Sequence, residues 1–264
     1  MRGENVGHLT VDVSDHVATV TFDRPPVNAV DLDALAEIRD TFSVLADDRD
    51  VRVAIFTAAG ERAFMAGADL RSVDLRKVDD VPAWQVTDSG RLARDAFWAV
   101  YDCAVPVIAA VNGPAIGSGL GFVAVCDMII SVPDARFGTT EINVGLLGAS
   151  AHLQLLVGRH RAREMFMTGE LIGAEELHRL GTIRELVPRA ELLGRARELA
   201  AVLASKSPIA LRLAKEAMNR VEFLALKDAY RTEQDYTRRL IGFEDAAEAR
   251  QAFLEKRPPD WKWR

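Results

Sequence analysis

Cysteine is scarce in this chain: 264 residues contain only Cys103 and Cys126. Secreted domains that depend on disulfides carry many more, so the count excludes a disulfide framework. Both cysteines have apolar neighbours, and we expect buried thiols in a reducing compartment. The first ten residues, MRGENVGHLT, lack the apolar core of a signal peptide. These two observations predict a cytoplasmic protein.

Excess positive charge is also absent. The formal net charge is −6 at pH 7, from 33 Lys and Arg against 39 Asp and Glu. Proteins that bind nucleic acid broadly, or that attach to anionic membranes, are usually basic. We therefore expect neither nucleic acid nor membrane as a partner. A local basic pocket for one phosphorylated ligand is still compatible with this balance.

The chain has no long uninterrupted apolar run. Its most apolar stretch, Ala104 to Ile130, is broken by Pro106, Asn112 and Pro114, and it carries the charge of Asp127. Four glycines between positions 113 and 121 interrupt it further. Because a transmembrane helix needs about 20 predominantly apolar residues, this stretch is not predicted to cross a membrane.

What the chain does contain is 49% hydrophobic residues, enough to bury one large core. Its first half alternates strand and helix patterns, which favours an α/β fold in which helices cover sheet layers. The predicted elements are the strands Leu9–Val13, Val17–Phe22, Val51–Thr57 and Val105–Val111, a helix capped by Asp31 with Leu32, Leu35, Ile38, Phe42 and Leu45 on its apolar face, and helices at Thr87–Tyr101 and Leu120–Val125. The charged segment Arg71–Val86 is predicted to be a mobile part of the surface.

The last third has a different character. Only helical patterns follow Glu191, and Ser207 with Pro208 forms a cap and first-turn proline. The other predicted helices there are Leu192–Ala204, Leu224–Ile241 and Asp245–Lys256. A change of composition near residue 200 predicts a helical appendage.

The most informative stretch runs from Val105 to Ser150. A buried strand ends at Asn112-Gly113-Pro114, a glycine-rich turn follows, and a helix begins near Leu120. Unpaired N–H groups at a helix start collect negative charge, and glycines let a ligand approach the backbone. Glu141 is the one acid of this stretch without a simple surface role. The alternative is that the glycines serve only close packing of strand against helix.

Six sequence blocks carry a resemblance to a known family. In chain order they are Arg24-Pro-Pro-Val-Asn28, Phe64-Met-Ala-Gly-Ala-Asp-Leu70, Ala109-Ala-Val-Asn-Gly-Pro-Ala-Ile-Gly-Ser-Gly119, Cys126-Asp127, Phe137-Gly138 followed by Glu141, and Phe253-Leu-Glu-Lys-Arg257. Together they resemble the crotonase family, the enoyl-CoA hydratases and isomerases. Each block alone is weak, but their order and spacing cover nearly the whole chain.

The resemblance implies a spiral of ββα units in residues 1–198 and a helical oligomerisation region in residues 199–264. Members form homotrimers, often paired into hexamers. They bind acyl-CoA thioesters and stabilise an enolate, so coenzyme A is part of the substrate and neither a separate cofactor nor a metal is expected. The oxyanion would be held by the backbone N–H groups of Ala66 and Ser118. Ser118 stands where many members have glycine.

The resemblance also assigns substrate-binding positions. Val27, Ala68, Asp69 and Leu70 match the loops near the pantetheine and adenine, beside Ala66 and Ser118. Phe253 and Lys256 match terminal-helix positions that reach the nucleotide. Two purely structural alternatives stay open: Lys256 as a solvated helix cation, and Asp69 as a helix N-cap.

One departure from the family affects the mechanism. Hydratases generally carry two glutamates that position one water, but the first of these positions is Gly121 here, and only Glu141 is retained. A lone general acid/base suits double-bond isomerisation, and also retro-aldol, decarboxylating or hydrolytic chemistry. We expect apolar surroundings from Ile142 to Leu147 to raise the pKa of Glu141. The alternative role for Glu141 is a structural carboxylate that caps a turn.

Other groups are weaker candidates. His152 follows the Gly148-Ala149-Ser150 turn and could lend a proton, although a satisfied helix histidine is the commoner case. Ser118 lacks the glycine spacing of a hydrolase nucleophile elbow. No cluster of histidine, cysteine and acid suggests zinc. The rival to an enzyme is a CoA-ester-binding protein that has lost turnover because Gly121 replaced an acid.

Overall fold

The computed structural model describes residues 5–70 and 90–264. The segment predicted to be mobile, 71–86, lies outside the described residues, as does the start of the helix predicted from Thr87. Within the described part, the helix and strand positions follow the sequence predictions closely.

A seven-stranded sheet forms the centre, in the order β1-β2-β3-β4-β5-β7-β10. Its strands are β1 Asn5–Val6, β2 Leu9–Ser14, β3 Val17–Phe22, β4 Val53–Ala58, β5 Val107–Val111, β7 Met128–Ser131 and β10 Glu185–Leu186. The pairs β1/β2 and β2/β3 are antiparallel, and every later pair is parallel. Every residue of β4 and β5 is buried, as expected for parallel strands covered on both faces.

A small three-stranded sheet takes two of its strands from the Val105 to Ser150 stretch. It pairs β6 Ala115–Ile116 with β8 Arg136–Gly138, and β8 with β9 Ile172–Gly173. Strand β6 ends two residues before Ser118, and β8 ends three residues before Glu141. Because β6 and β8 run parallel in register, their carboxyl ends carry Ser118 and Glu141 to the same edge of this sheet.

Helices pack on the sheets. In the first two thirds they are α1 Leu32–Asp47, α2 Arg91–Tyr101, α3 Ser118–Ala124, α4 Ser150–Val157, α5 Arg159–Thr168 and α6 Ala174–Arg179, with short 3-10 turns at Glu141–Val144 and Arg189–Glu191. Asp31 caps α1 as predicted, because its side chain accepts a hydrogen bond from the Ala34 amide at 2.9 Å. The predicted apolar face of α1 is buried except Leu32, which is 58% exposed at the first helical position.

The C-terminal third is helical, as predicted: α7 Leu192–Ala204, α8 Pro208–Val221, α9 Leu226–Ile241 and α10 Glu244–Glu255. Ser207 caps α8 and accepts from the Ala210 amide at 3.2 Å. Helix α7 packs on β3, β4, β5 and β7. The predicted boundary between residues 198 and 199 falls inside this continuous helix, and the division at that point stays a prediction.

Both cysteines are free thiols; Cys103 is buried and Cys126 half-buried. Among the helices of the described ranges, none combines the length and apolar character needed to cross a membrane.

Candidate functional site

Two loops meet at the edge of the small sheet. The Met65 carbonyl accepts a hydrogen bond from the Ile116 amide at 2.9 Å, and the Phe64 amide donates to the Pro114 carbonyl at 3.0 Å. Gly119 lies so close that a Cβ there would be 2.4 Å from the Met65 carbonyl oxygen. The glycine-rich turn therefore does serve close packing, and this packing places the chain around residue 66 beside the start of α3.

The amides of Ala66 and Ser118 differ in their hydrogen bonding. Ser118 is the first residue of α3, and its N–H donates to no backbone carbonyl of the described residues, as is normal in the first turn of a helix. The Ala66 N–H donates to the Val27 carbonyl at 3.2 Å, which is at the long end for such a bond. One of the two predicted donors is thus unoccupied, and the other is weakly engaged.

The Glu141 carboxylate lies against the glycine-rich turn. A Cβ at Gly117 would be 2.4 Å from Glu141 Oε1, and a Cβ at Gly148 would be 3.2 Å from the same atom. Gly117 has φ +54° and ψ −116°, a conformation that favours glycine. Glycine at both positions therefore makes the room that lets the carboxylate sit next to the residue whose amide is unoccupied, Ser118.

Burial governs the charge state of Glu141. Its Oε2 is buried and has no hydrogen-bond partner among the described residues. Desolvation raises the pKa of the carboxyl, while hydrogen bonding from the amides of Glu141 and Thr140 opposes the rise. The direction of the shift agrees with the prediction.

Burial is the cause of this shift, as predicted, but its assignment to the residues from Ile142 to Leu147 stays a prediction. Ile142, Val144 and Leu147 point outward and are 41%, 55% and 75% exposed. Gly117 and Gly148 lie against the carboxylate.

Phe97 fills the space in front of Gly121. A Cβ at Gly121 would lie 2.8 Å from Phe97 Cε1, and the Phe97 ring packs on Phe122 at 4.4 Å and on His152 at 4.7 Å between centroids. Gly121 is three residues after Ser118 on α3 and so shares its face of the helix. The position of the missing first glutamate is therefore occupied by an aromatic ring.

His152 lies in the first turn of α4 and is half-buried. Both of its ring nitrogens are buried, and neither has a hydrogen-bond partner among the described residues. Burial lowers the pKa of the imidazole, which keeps the ring neutral at pH 7. The interpretation of His152 as a satisfied helix histidine is therefore wrong.

Two further buried polar groups in this region are hydroxyls. Ser118 Oγ and Thr139 Oγ1 are buried and lack partners within the described ranges. Since no described histidine makes a hydrogen bond with Ser118 Oγ, the described residues offer no base for a serine nucleophile. In residues 5–70 and 90–264, no three His, Cys, Asp or Glu side chains are grouped so that they could hold a metal ion.

An ion-pair cluster joins the two loops predicted to bind coenzyme A. The Arg24 guanidinium lies 2.5 Å from Asp31 and 3.2 Å from Asp69. Backbone bonds of 2.8 Å from Val30 N–H to Gly67 and from Asp69 N–H to Val30 reinforce the contact. The loops carrying Val27 and Asp69 are thus side by side.

Exposure separates the predicted residues on these loops. Ala68 and Leu70 are exposed, Val27 and Ala66 are half-buried, and Asp69 is buried. Asp69 engages Arg24, and its alternative as a cap for a helix after Leu70 lies outside the described residues. The role of Arg24 as the cation of this cluster was not predicted from the sequence.

Phe253 lies on α10, and Lys256 directly follows its last residue. Phe253 is 82% exposed, and α10 packs against α9. Lys256 ends the helix in a left-handed conformation with φ +53°. Their binding of a nucleotide stays a prediction, and so does the alternative of a solvated cation.

Comparisons with known proteins agree with this arrangement. Residues 12–264 match the family described as enoyl-CoA hydratase/isomerase. The chain is 40% identical over 256 residues to (7aS)-7a-methyl-1,5-dioxo-2,3,5,6,7,7a-hexahydro-1H-indene-carboxyl-CoA hydrolase of Rhodococcus jostii, covering 96% of each chain. It is 34% identical over 264 residues to carnitinyl-CoA dehydratase of Escherichia coli K12, covering 97% of this chain and 98% of that one.

Solved structures share the fold. The crystal structure of enoyl-CoA hydratase from Bacillus anthracis superposes with a TM-score of 0.88 at 33% identity, covering 97% of this chain and 100% of that chain. The predicted crotonase-like α/β fold is thereby confirmed. With a family match over nearly its whole length, this chain belongs to the enoyl-CoA hydratase/isomerase family, the crotonases, and is an acyl-CoA enzyme of that superfamily.

Proposed function

We propose that this enzyme stabilises the enolate of an acyl-CoA thioester, with Glu141 as the single carboxylate that moves the proton. The amides of Ser118 and Ala66 are the proposed donors to the thioester oxygen. The observation that carries the proposal is the position of the Glu141 carboxylate against Gly117, the residue next to the unoccupied Ser118 amide.

Backbone donors suit this task because negative charge appears on the thioester oxygen only as the reaction proceeds. In comparable sites, one such donor is worth roughly 2.7–4 kcal/mol of transition-state stabilisation. A developing oxyanion at Ala66 competes with the neutral Val27 carbonyl, whose bond is long at 3.2 Å. Charge-assisted hydrogen bonds are about twice as strong as neutral ones, so the oxyanion wins this competition.

The proposed reaction is a proton transfer between two carbons, as in moving a 3-enoyl double bond to the 2 position. Glu141 takes the proton from one carbon and returns it to another, and its raised pKa brings it closer to neutrality, where a general acid/base works best. Addition of water by two acids is disfavoured because Phe97 fills the space at Gly121, the position of the missing first acid.

Hydrolysis is the second candidate. The relative from Rhodococcus jostii is named a hydrolase of the CoA ester of a bicyclic dione, at 40% identity. In such a reaction, Glu141 takes a proton from a water that adds to a ring ketone, and the C–C bond between that ketone carbon and the α-carbon of the thioester breaks. The electron pair of the broken bond forms the thioester enolate, which the same oxyanion donors hold until the α-carbon takes back the proton. Retro-aldol cleavage and decarboxylation use the same parts, and binding without turnover is the rival outside enzyme chemistry.

The proposal extends to binding and assembly. Val27, Ala68, Asp69 and Leu70 are proposed to hold the coenzyme A portion beside Ala66 and Ser118, with Phe253 and Lys256 at the nucleotide end. The family membership implies a homotrimer or a dimer of trimers, and an apolar surface for such assembly is available on α9, which buries none of its residues and exposes Leu226, Tyr230 and Ile241. Two free thiols support a reducing, cytoplasmic setting.

Glu141→Gln tests the proton-transfer role. Exchange of the α-protons of butyryl-CoA with deuterium from solvent is followed by NMR, and the dissociation constant of the ester is measured in parallel. We expect exchange to fall by about 10²- to 10⁴-fold with binding retained, since a positioned general base contributes that much. Glu175→Gln, at an exposed site on α6, is the matched control and keeps the wild-type rate. A wild-type protein that exchanges no acyl-CoA proton favours binding without turnover.

The reaction type is decided with paired substrates. A 2-enoyl-CoA and a 3-enoyl-CoA of equal length are compared with a CoA ester of a bicyclic dione. Isomerisation of the 3-enoyl ester supports the first candidate, and ring opening of the dione ester supports the second. Efficient hydration of the 2-enoyl ester by the native enzyme contradicts the single-carboxylate mechanism.

A further inference from the structure

His152 borders the proposed site from the side of the missing first acid. Its ring packs on Phe97, whose other contacts are Phe122 and the space in front of Gly121. Helix α4, which carries His152, begins two residues after Gly148, the glycine in contact with the Glu141 carboxylate. His152 is thus linked through Phe97 to the Gly121 face of α3, and through the start of α4 to the glycine beside Glu141. We take these residues as one wall of the proposed site.

Unpaired buried polar atoms concentrate on this wall. Within the described residues, eight buried side-chain nitrogen or oxygen atoms lack a hydrogen-bond partner, and five of them are Ser118 Oγ, Thr139 Oγ1, Glu141 Oε2 and the two ring nitrogens of His152. Thr139 follows Gly138, whose carbonyl accepts from the Gly117 amide at 2.9 Å, so its hydroxyl belongs to the same region. Buried polar groups are normally paired, which points to a ligand with polar atoms here.

The proposed proton transfer on a thioester assigns no role to His152. The thioester oxygen is assigned to backbone amides and the moving proton to Glu141, and a hydrocarbon acyl group offers an imidazole no hydrogen bond. Burial keeps the ring neutral, and a neutral imidazole presents one donor and one acceptor. A ketone oxygen accepts from the donor, and a hydroxyl can pair with either nitrogen.

We infer that the substrate carries a ketone or hydroxyl oxygen on its acyl group, beyond the thioester, and that His152 binds this oxygen. The inference rests on the proposed function and names the substrate class: oxygenated acyl-CoA thioesters. His152 is then a specificity-determining residue, and Phe97 is the apolar spacer that holds its ring in place.

Binding to a set of matched esters tests the inference. The probes are cyclohexanecarboxyl-CoA and its 2-oxo, 3-oxo and 4-oxo derivatives, because a ring fixes the distance from the oxygen to the thioester. Dissociation constants are measured by calorimetry in the Glu141→Gln background, which prevents turnover. We expect at least one oxo ester to bind roughly tenfold or more tightly than the parent ester, since a site built to pair an oxygen discriminates against the analogue that lacks it.

Two nearly isosteric replacements separate hydrogen bonding from packing. His152→Leu removes both polar atoms, and we expect the preference for the oxo ester to fall to within about twofold of the parent. His152→Asn keeps a donor and an acceptor in a side chain of similar size, and we expect it to retain part of the preference. His160→Asn, at an exposed position of α5, is the matched control and leaves the preference unchanged.

Contrary results are distinguishable from failure of the proposed function. Equal binding of all four esters, or a preference that survives His152→Leu, overturns the inference, while α-proton exchange by the enzyme with native Glu141 leaves the proposed function standing. If none of the esters binds, both the inference and the proposed function are contradicted. Should His152→Leu not fold, the ring-nitrogen NMR signals of His152 in the unsubstituted enzyme decide: a shift with the oxo ester alone supports the inference, and equal responses to oxo and parent esters overturn it.

Discussion

The ring of Phe97 occupies the volume that a side chain at Gly121 would need, with only 2.8 Å between Phe97 Cε1 and a Cβ at position 121. The two residues therefore form one unit: the glycine makes room for the ring, and the ring keeps a second acid out. We therefore expect that a glutamate at position 121 alone does not give this enzyme hydratase activity.

Gly121→Glu is accordingly expected to gain no hydration of a 2-enoyl-CoA and to lower the melting temperature. Forcing extra atoms into a packed region costs about 1–3 kcal/mol, more than the helix-propensity gain of about 1 kcal/mol from replacing glycine. Combined with Phe97→Ala, the same glutamate has space, and we expect hydration to appear. The measurement is the loss of the enoyl thioester absorbance.

Phe97→Ala alone is the control for this experiment, because it opens the space without supplying an acid, and it should not hydrate. If Gly121→Glu hydrates as fast as the double variant, Phe97 is not the obstacle.

Gly117→Ala is expected to lower both the rate of turnover and the free energy of unfolding, with the loss of turnover as its main effect. The added Cβ would be 2.4 Å from Glu141 Oε1, so the carboxylate must leave its position beside Ser118. The backbone conformation also favours glycine, which adds strain of about 1–3 kcal/mol.

Gly145→Ala separates the two effects. Gly145 also has positive φ, at +73°, but a Cβ there meets nothing within 4 Å. Melting curves and α-proton exchange rates are compared for both variants. We expect both to lose stability and only Gly117→Ala to lose exchange by an order of magnitude or more. Equal loss of exchange in the two would mean that the Gly117 contact does not position Glu141.

Glu141→Gln is predicted to be more stable than the native protein at pH 7 to 8. Burial raises the pKa of Glu141 in the folded state, so the folded protein binds this proton more tightly than the unfolded chain. The stability from the protonated form is complete below the unfolded pKa of about 4.3 and is lost as the pH rises through the folded value. Glutamine, which stays neutral, avoids that loss.

Urea denaturation from pH 4 to pH 8 measures whether the variant becomes more stable than the native protein as the pH rises. The free energy of unfolding of the variant, minus that of the native protein, should approach zero at the acid end and become positive as the pH rises. The titration of His152, whose pKa burial lowers, affects both proteins and largely cancels in the difference. A native protein that is the more stable at pH 8 would show that the ionised carboxylate is well accommodated.

The sequence predicted the elements well because their signals are local. The strand Val17–Phe22 has its predicted bounds, as does the helix Leu192–Ala204. Asp31 and Ser207 cap helices as their residue types suggest. Leu32 is the exception on α1, because the first helical position lies at the rim of the apolar face.

From the residues alone, the candidate site was predictable only for the part that lies within one segment of the chain. Glu141 and the Ser118 turn lie in one stretch, and the family resemblance joined them to Ala66. The unit of Phe97, Gly121 and His152 was not predictable, because it joins α2, α3 and α4 across a tertiary contact that no sequence spacing encodes.

Lys215 on α8 is predicted to fasten the C-terminal helices to the sheet. It is buried, and its Nζ donates to Asp127 Oδ2 at 2.7 Å, to the Val105 carbonyl at 3.2 Å and to the Val100 carbonyl at 3.3 Å, which uses all three protons. Asp127 Oδ2 also accepts from the Val107 amide at 2.7 Å, at the start of β5. The ammonium thus links α8 with the end of α2 and the first strand residues beside it.

Lys215→Met should lower the free energy of unfolding by about 3 kcal/mol, the lower end for breaking a buried ion pair. The lower end applies because the Asp127 side chain is 24% exposed and keeps the Val107 amide as a donor. Lys206→Met, an exposed change between α7 and α8, is the matched control and should stay within about 0.5 kcal/mol. Urea unfolding at one fixed protein concentration measures both, because assembly would make stability concentration-dependent. A Lys215→Met variant as stable as Lys206→Met would mean that apolar packing alone holds α8 on the sheet.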